Sequence, residues 1–569
     1  MKLIDGILKA LCITALVTTV PVQAQVTETV AKRHMIAAAN PHAAQAGLEM
    51  MRAGGTAVDA AIATQMVLGL VEPESSGIGG GAFMLVYNPA TKQTTSFDGR
   101  EMAPASATPT MFLDANGAPR AKPDAIPGGL SVGIPGVIKM LWLAHEKYGK
   151  LPWAKLFEPA IKLSEDGFPV GPKLARTIKN FTRGAGMPDI KAHFYHPDGT
   201  PLAEGEIYKN PDYAATLRKI AKEGPDGFYK GEIAQAIVDT VQHAPRQQGG
   251  MTLEDLDKYQ AKERAPVCGD YREYHLCSMG PPSSGGIAVL QILGMLQRFS
   301  PAELTPNTIS GAHLFAQASR LAYADRAQYL GDPAFVDVPI KGLTDKSYIA
   351  SRGALIDPKH DMGTAIAGTP PEKHAELAPQ VSPVLHGTSH MTIVDDKGEV
   401  VAMTTSVESV FGANIMTRGF MLNNTLTDFS FEPVRGGKPV ANAPAPGKLP
   451  LSAMSPTIVF DKEGGFLVSV GSPGGPAIID YVSQILIGIL DAKLTVKDAI
   501  AMPHEVNMNG PTLLEQSPAS DALAAQLTAM GHTVQVPRIE GSGLHGIQKV
   551  KGGYVGAADP RRDGIALGD

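Results

Sequence analysis

Hydrophobic spacing changes character along this chain near residue 387. Before that point apolar residues recur mostly at helical intervals. Ala44, Leu48 and Met51 mark a helix over 41–53 that Gly54-Gly55 stops. Thr56 caps a second helix over 57–70, almost wholly apolar and closed by Pro73, which predicts burial on all sides inside a layered core. A glycine-rich turn over 75–81 leads into a strand over 82–87. Further amphipathic helices are predicted over 134–148, 214–223, 287–299 and 309–330, joined by Pro/Gly-rich loops, and none of them gathers catalytic residue types. An irregular stretch over 355–387 follows, marked by Pro370-Pro371, Pro379, Pro383 and Gly387. β-rich runs over 389–394 and 400–406 then flank Asp395-Asp396-Lys397-Gly398-Glu399, the pattern of a hairpin. Strands over 419–422, 457–460 and 467–470 precede a helix over 477–490. Strands flanked by helices in this way predict an α+β sandwich of sheets between helical layers.

Length raises the question of domains. At 569 residues the chain exceeds one ordinary domain, so it needs either two cores or one large layered core. Hydrophobic residues at 44% and charged residues at 19% exclude a disordered chain, and 61 Gly with 45 Pro suit a loop-rich enzyme better than a coiled coil. A net charge of −6 offers no field to attract nucleic acid. The first residues stand apart: Lys2 and Lys9 precede an apolar run over 10–20, and Val22-Gln23-Ala24 supplies small residues at a cleavage site. That pattern predicts a secretory signal peptide over 1–24 and a periplasmic or secreted mature protein, with no later segment long enough to span a membrane.

An exported compartment changes the reading of the cysteines. Cys12 leaves with the signal, while Cys268 and Cys277 flank a segment able to turn between two short strands, either bridged or as neighbouring free thiols. No Cys/His spacing calls for a metal, and no motif calls for a cofactor. His386 and His390 are separated by a glycine that argues against a shared helical face. Gly77-Ile78-Gly79-Gly80-Gly81-Ala82 precedes a strand instead of linking strand to helix, so a phosphate loop is not expected. Asp559-Pro560-Arg561-Arg562-Asp563 reads as a salt-bridged surface turn.

Two segments carry candidate chemistry. In Gly387-Thr388-Ser389-His390 a threonine opens a strand directly after a glycine. Its hydroxyl is a weak nucleophile, but severing the Gly387–Thr388 bond would free an α-amine, with a reference pKa near ~8, on the same residue to act as base. Taken alone, Thr388 also fits an ordinary β-branched strand residue. Gly471-Ser472-Pro473-Gly474-Gly475 lies between a strand and a helix, where backbone N–H groups and the helix N-terminus suit an oxyanion or, equally, a tight turn.

Taken with Gly54-Gly55-Thr56-Ala57-Val58-Asp59-Ala60-Ala61, Glu72-Pro73-Glu74-Ser75-Ser76-Gly77, Gly99-Arg100-Glu101-Met102-Ala103-Pro104, Pro281-Pro282-Ser283-Ser284-Gly285-Gly286, Leu422-Asn423-Asn424 and Pro450-Leu451-Ser452-Ala453-Met454-Ser455-Pro456-Thr457, these segments resemble the γ-glutamyltranspeptidase (glutathione hydrolase) family of N-terminal nucleophile hydrolases. The resemblance implies a four-layer αββα fold and a precursor that cuts itself between Gly387 and Thr388. A large subunit over 25–387 and a small subunit over 388–569 would then form one intertwined unit. It implies that Thr388 attacks a γ-glutamyl amide such as that of glutathione, that Ser406 supports the nucleophile, and that Gly474 and Gly475 hold the oxyanion. Arg100 and Ser452 match binders of the substrate α-carboxylate, and Asp428 a binder of its amine.

The head-group pocket departs from the family pattern. Glu408 stands where well-characterised members carry Asn, Thr425 where they carry Gln or Glu, and Ala453 where they carry a second serine. Glu408 offers a carboxylate to an ammonium, whereas the Ala453 methyl weakens carboxylate binding by about 0.5–1.5 kcal/mol. Residues 431–448 hold no aromatic beyond Phe431 to form a lid tip, which predicts an open site that admits water. Two alternatives stay open: a glutaryl or cephalosporin-type acylase of the same family, and a non-catalytic exported binding protein.

Overall fold

The computed structural model describes residues 28–182, 186–380, 387–537 and 541–569. The predicted signal peptide, Cys12 and His386 lie outside the described residues. Two antiparallel seven-stranded sheets form the centre. The first runs, in spatial order, Ile565–Gly568, Met35–Ala38, Ser389–Val394, Val400–Ser406, Gly81–Asn88, Gln93–Gly99 and Lys262–Arg264. The second runs Glu28–Ala31, Gly553–Ala558, His545–Val550, Phe466–Gly471, Thr457–Phe460, Tyr274–Ser278 and Val267–Tyr271.

Period-two alternation sorts the first sheet's side chains between two cores. Met84, Val86, Met391, Ile393, Val401 and Met403 face the helices Pro41–Arg52 and Ala57–Val71. Phe83, Leu85, Val394, Val400 and Ala402 face the second sheet. Gly285–Leu296 and Ile478–Leu490 cover the second sheet's far side, and Ile309–Tyr329 packs onto Gly285–Leu296. The layers therefore read helix, sheet, sheet, helix, as the resemblance implied. Each wholly buried Leu, Ile, Val or Met contributes about 1.5–3 kcal/mol, so a helix such as Ala57–Val71, buried along its whole length, is held by packing on every side. Thr56 and Asp59 form a reciprocal capping box at its start.

Both sheets take strands from before and after Gly387. Met35–Ala38 pairs with Ser389–Val394, and Tyr274–Ser278 pairs with Thr457–Phe460. Neither half has a core of its own, so a break at that point would leave the halves interlocked.

The predicted helices and strands appear with ends shifted by a few residues. The helix expected over 134–148 starts only at Val137, because Pro135-Gly136 cannot continue a helix N-terminally. The hairpin strands Ser389–Val394 and Val400–Ser406 occupy their predicted bounds. Strands near both chain ends, Met35–Ala38 and Ile565–Gly568 among them, carry too few residues for a period-two signal and were not expected.

Candidate active site

Hairpin register places the first pair of functional groups. Ser389 pairs with Thr405, so Thr388 faces Ser406 one step further on, and their hydroxyl oxygens lie 3.0 Å apart. Both are buried. The chain is continuous here, and both hydroxyls point at the Gly387 carbonyl: Thr388 Oγ1 donates to its oxygen at 2.7 Å and Ser406 Oγ at 2.5 Å. The Glu408 N–H donates to Ser406 Oγ at 2.8 Å and fixes that hydroxyl's direction. Gly387 has no room for a side chain, since a Cβ there would lie 2.5 Å from the Glu408 carbonyl oxygen.

The wall behind this pair is polar and charged. Ser389 Oγ donates to Glu72 at 2.7 Å, and Lys173 joins Glu72, Glu74 and Ser75. Arg562 Nη1 donates to the Thr388 carbonyl at 2.7 Å while its other nitrogens hold the Ser542 and Gly541 carbonyls. Residues 559–563 are thus not the surface turn expected. Asp559 is 1% exposed and accepts from Ser542, the Leu544 N–H and Arg561. Burial alone would raise its carboxyl, but His504 and Arg561 hold it far below the usual range. Sequence reasoning missed this because an Asp-Pro-Arg-Arg-Asp run looks solvated when its partners are distant in sequence.

Across the pocket, Gly474 and Gly475 adopt φ of 134° and 57°, conformations that favour glycine. Gly475 lines the same pocket as Thr388 and Ser406, at the entry to helix Ile478–Leu490, and neither glycine N–H is taken by an acceptor among the described residues.

Arg100, Glu408, Asp428, Ser452 and Ala453 also line this pocket. Arg100, 2% exposed, donates from Nη2 to Asp428 at 2.5 Å and from Nε to the Pro450 carbonyl at 3.1 Å. Glu408 accepts from Asn424 at 2.7 Å and from Ser409 at 2.8 Å. Burial, reinforced by the Asp428 charge, pushes the Glu408 carboxyl well above the ordinary carboxylate range. Its backbone has φ of 84°, a conformation that Asn tolerates better than Glu, so a carboxylate here comes at a conformational cost of order 1–3 kcal/mol. Lys122 approaches from the other side over the Phe431 ring, donates to the Thr427 carbonyl, and is pushed down to about 8 by burial against the pull of Asp428 and Glu408.

Thr425 is not brought into the pocket lining. Its hydroxyl donates to the buried Glu101 at 2.7 Å, which in turn meets Arg100 Nη1 at 3.3 Å. Two lining residues went unnoticed in the sequence. Arg326, in the last turn of Ile309–Tyr329, donates from Nε to Ser284 Oγ at 2.8 Å, and Ser284 Oγ donates to the Ser452 carbonyl at 2.7 Å. Asn442 accepts from the Leu451 N–H and donates to the Asp428 carbonyl, tying two pocket walls together. A long buried helix and a Pro/Gly-rich loop gave no local signal of either. With the chain uncut the pocket's free volume is about 50 Å³.

His390 lies between the sheets, 2.9 Å from Thr404 Oγ1, and burial pushes its imidazole well below the usual value. The one group of possible metal ligands among the described residues is Cys268, His275 and Cys277, where the two sulfurs are bonded to each other. These cysteines pair directly across strands Val267–Tyr271 and Tyr274–Ser278, with Cα atoms 4.2 Å apart.

A four-layer αββα sandwich with a buried threonine opening a central strand, a second hydroxyl beside it and a diglycine turn opposite defines the class of N-terminal nucleophile amidohydrolases. Comparison with known proteins sharpens this: the γ-glutamyltranspeptidase family profile matches residues 43–569, and the chain belongs to that family. The glutathione hydrolase proenzyme of Bacillus subtilis (strain 168) is 38% identical over 550 residues, covering 95% of this chain and 92% of the relative. That of Escherichia coli (strain K12) is 38% identical over 545 residues, covering 93% and 91%. The solved structure of a cephalosporin acylase from Bacillus halodurans superposes with a TM-score of 0.84 at 27% identity, covering 97% of this chain and 98% of the other.

Proposed function

We propose that this chain is an autoprocessing γ-glutamyl hydrolase and transpeptidase, acting on glutathione and related γ-glutamyl amides with Thr388 as nucleophile. The observation that carries the reading is the convergence of two buried hydroxyls on one carbonyl, that of Gly387. In maturation the Thr388 oxygen attacks the Gly387 carbonyl carbon, Ser406 stabilises the oxygen's developing charge, and the Gly387–Thr388 C–N bond breaks to leave an ester and a free amine. Water then hydrolyses the ester, giving a large subunit over 25–387, a small subunit over 388–569 and a pocket vacated by Gly387. Because both sheets draw strands from each side of the cut, the subunits stay joined.

In turnover the freed α-amine takes the Thr388 hydroxyl proton while the oxygen attacks the γ-amide carbonyl. The Gly474 and Gly475 N–H groups hold the oxyanion, the leaving amine takes a proton, and the acyl-enzyme passes its glutamyl group to water or to an amino acid or peptide amine. Arg100 and Ser452 receive the α-carboxylate. The substrate ammonium enters between Asp428 and Glu408, lowering the cost of ionising Glu408. Export rests on the N-terminal pattern over 1–24; no helix of the described residues is long and apolar enough to cross a membrane.

Stepwise degradation of purified active enzyme is expected to find a chain beginning at Thr388, and Thr388→Ala to give a single uncut, inactive chain. Continued cleavage of that variant would overturn the mechanism. A second reading, a glutaryl-type acylase, is favoured by one feature: the raised carboxyl of Glu408 and the Ala453 methyl line one pocket and suit a head group lacking ammonium. Kinetics on γ-glutamyl-p-nitroanilide against glutaryl-p-nitroanilide decide, and the proposal requires the γ-glutamyl compound to have the higher kcat/KM.

A further inference from the structure

Away from the pocket that holds Thr388, a cavity of about 950 Å³ opens over the Cys268–Cys277 bridge. The bridge joins two residues that face one another in register at the sheet's end, on the strand pair that closes the second sheet. Cys277 is buried whereas Cys268 lies nearer solvent, so an incoming group meets the Cys268 sulfur first. Beside the inner sulfur stands the exposed His275, with Nε2 3.8 Å from Cys277 Sγ. Asp270 fixes the ring through Nδ1 at 2.9 Å and is itself held by Lys346 at 2.9 Å. A carboxylate-oriented imidazole next to one sulfur of a disulfide is the arrangement needed to protonate a departing thiolate. Five cations line the cavity, Lys92 and Arg298 among them, against the three carboxylates Asp270, Glu273 and Asp461.

We propose that this cavity is a thiol–disulfide exchange site for small carboxylate-bearing thiols. The thiolate attacks Cys268 Sγ, a new sulfur–sulfur bond forms there, and the Cys268–Cys277 bond breaks. The electron pair leaves on Cys277, which takes its proton from Nε2 of the doubly protonated His275 ring, whose Nδ1–H stays on Asp270. A second thiolate then displaces Cys268 from the mixed disulfide, so two thiols become one small disulfide and the protein's bridge becomes two thiols. Lys92 and Arg298 receive the carboxylates. The site is independent of Thr388 chemistry. Glutathione and the cysteinylglycine that its hydrolysis would release share the required chemistry.

The reduction assay uses the purified protein and thiols with no γ-glutamyl bond, so it stands whether or not the proposed activity does. Thiol release is followed by alkylation and mass spectrometry with mercaptoacetate, mercaptoethanol and cysteamine at matched thiolate concentration. Mercaptoacetate should react about ten-fold or more faster than cysteamine at low salt, and a joint Lys92→Glu, Arg298→Glu variant should erase that preference with γ-glutamyl turnover unchanged. His275→Ala should slow reduction by all three thiols. The Cys277→Ser variant, carried with Thr388→Ala so that no γ-glutamyl bond is cut, is incubated with glutathione disulfide or with the disulfide of cysteinylglycine in separate arms; it should retain a single adduct on Cys268, and the arm that gives the adduct identifies which thiol the site takes. Equal rates across the charge series, or no adduct in either arm, would overturn the proposal.

Discussion

The proposed nucleophile and the proposed head-group residues line one pocket yet are held by different physics. Thr388 and Ser406 sit at the end of a hairpin whose register is fixed over consecutive residue pairs, so their 3.0 Å spacing follows from the sheet itself. Arg100, Asp428, Glu408, Ser452 and Ala453 come from separate turns and loops joined by buried charges and carbonyl contacts. The difference teaches where change is tolerated: a register shift would turn the nucleophile away from its pocket, whereas a loop residue can be exchanged while its neighbours rebalance the charge. The departures from the family pattern all fall in the loop-held half.

The largest expected effect tests the register-held half. Ser406→Ala removes one donor from the Gly387 carbonyl and should slow self-cleavage by about 10²–10³-fold, read as the lifetime of the uncut band on denaturing gels; unchanged processing would break the distinction drawn above. Next, Asp428→Asn keeps shape but removes the carboxylate partner of Arg100 and, in the proposed function, of the substrate ammonium. A fall in kcat/KM of about 10²-fold is expected for γ-glutamyl-p-nitroanilide, with a much smaller fall for the glutaryl analogue.

Glu408 gives a pH test of the loop-held half. In acid its carboxyl is neutral and pairs poorly with an ammonium, so KM for γ-glutamyl substrates should fall as pH rises through its raised folded-state pKa. Stability should run the opposite way, because a carboxyl raised on folding contributes stability in acid that is lost as pH rises through that same value. Glu408→Asn should flatten both profiles and, by relieving the positive φ, stabilise the fold by about 1 kcal/mol in thermal unfolding. The smallest effect belongs to Ala453→Ser. A restored hydroxyl should lower KM several-fold, equivalent to about 0.5–1.5 kcal/mol, and an unchanged KM would show that residue 453 does not meet the carboxylate.

Much of the core was legible in the chain because its signals are local. Full apolarity over 57–70, stopped by Pro73, specifies a buried helix, and the alternation flanking Asp395–Glu399 specifies a hairpin down to its ends. The proposed nucleophile was a candidate only through the resemblance that the other segments carry, because a Gly-Thr step at a strand's first residue fits an ordinary strand equally well. Thr425 was misplaced because a family position fixes a backbone location but not where a shorter hydroxyl turns, and here it turns to Glu101.

What the sequence alone determined is therefore the layered scaffold, the family and the threonine at its centre, since each rests on contiguous residues. The buried role of Asp559 and Arg562, the entry of Arg326 and Asn442 into the pocket, and the raised carboxyl of Glu408 were decided only by the tertiary structure. Each depends on burial and on partners far away in the chain, and the strength of a charge–charge or hydrogen-bond contact is set by how completely folding removes water from around it.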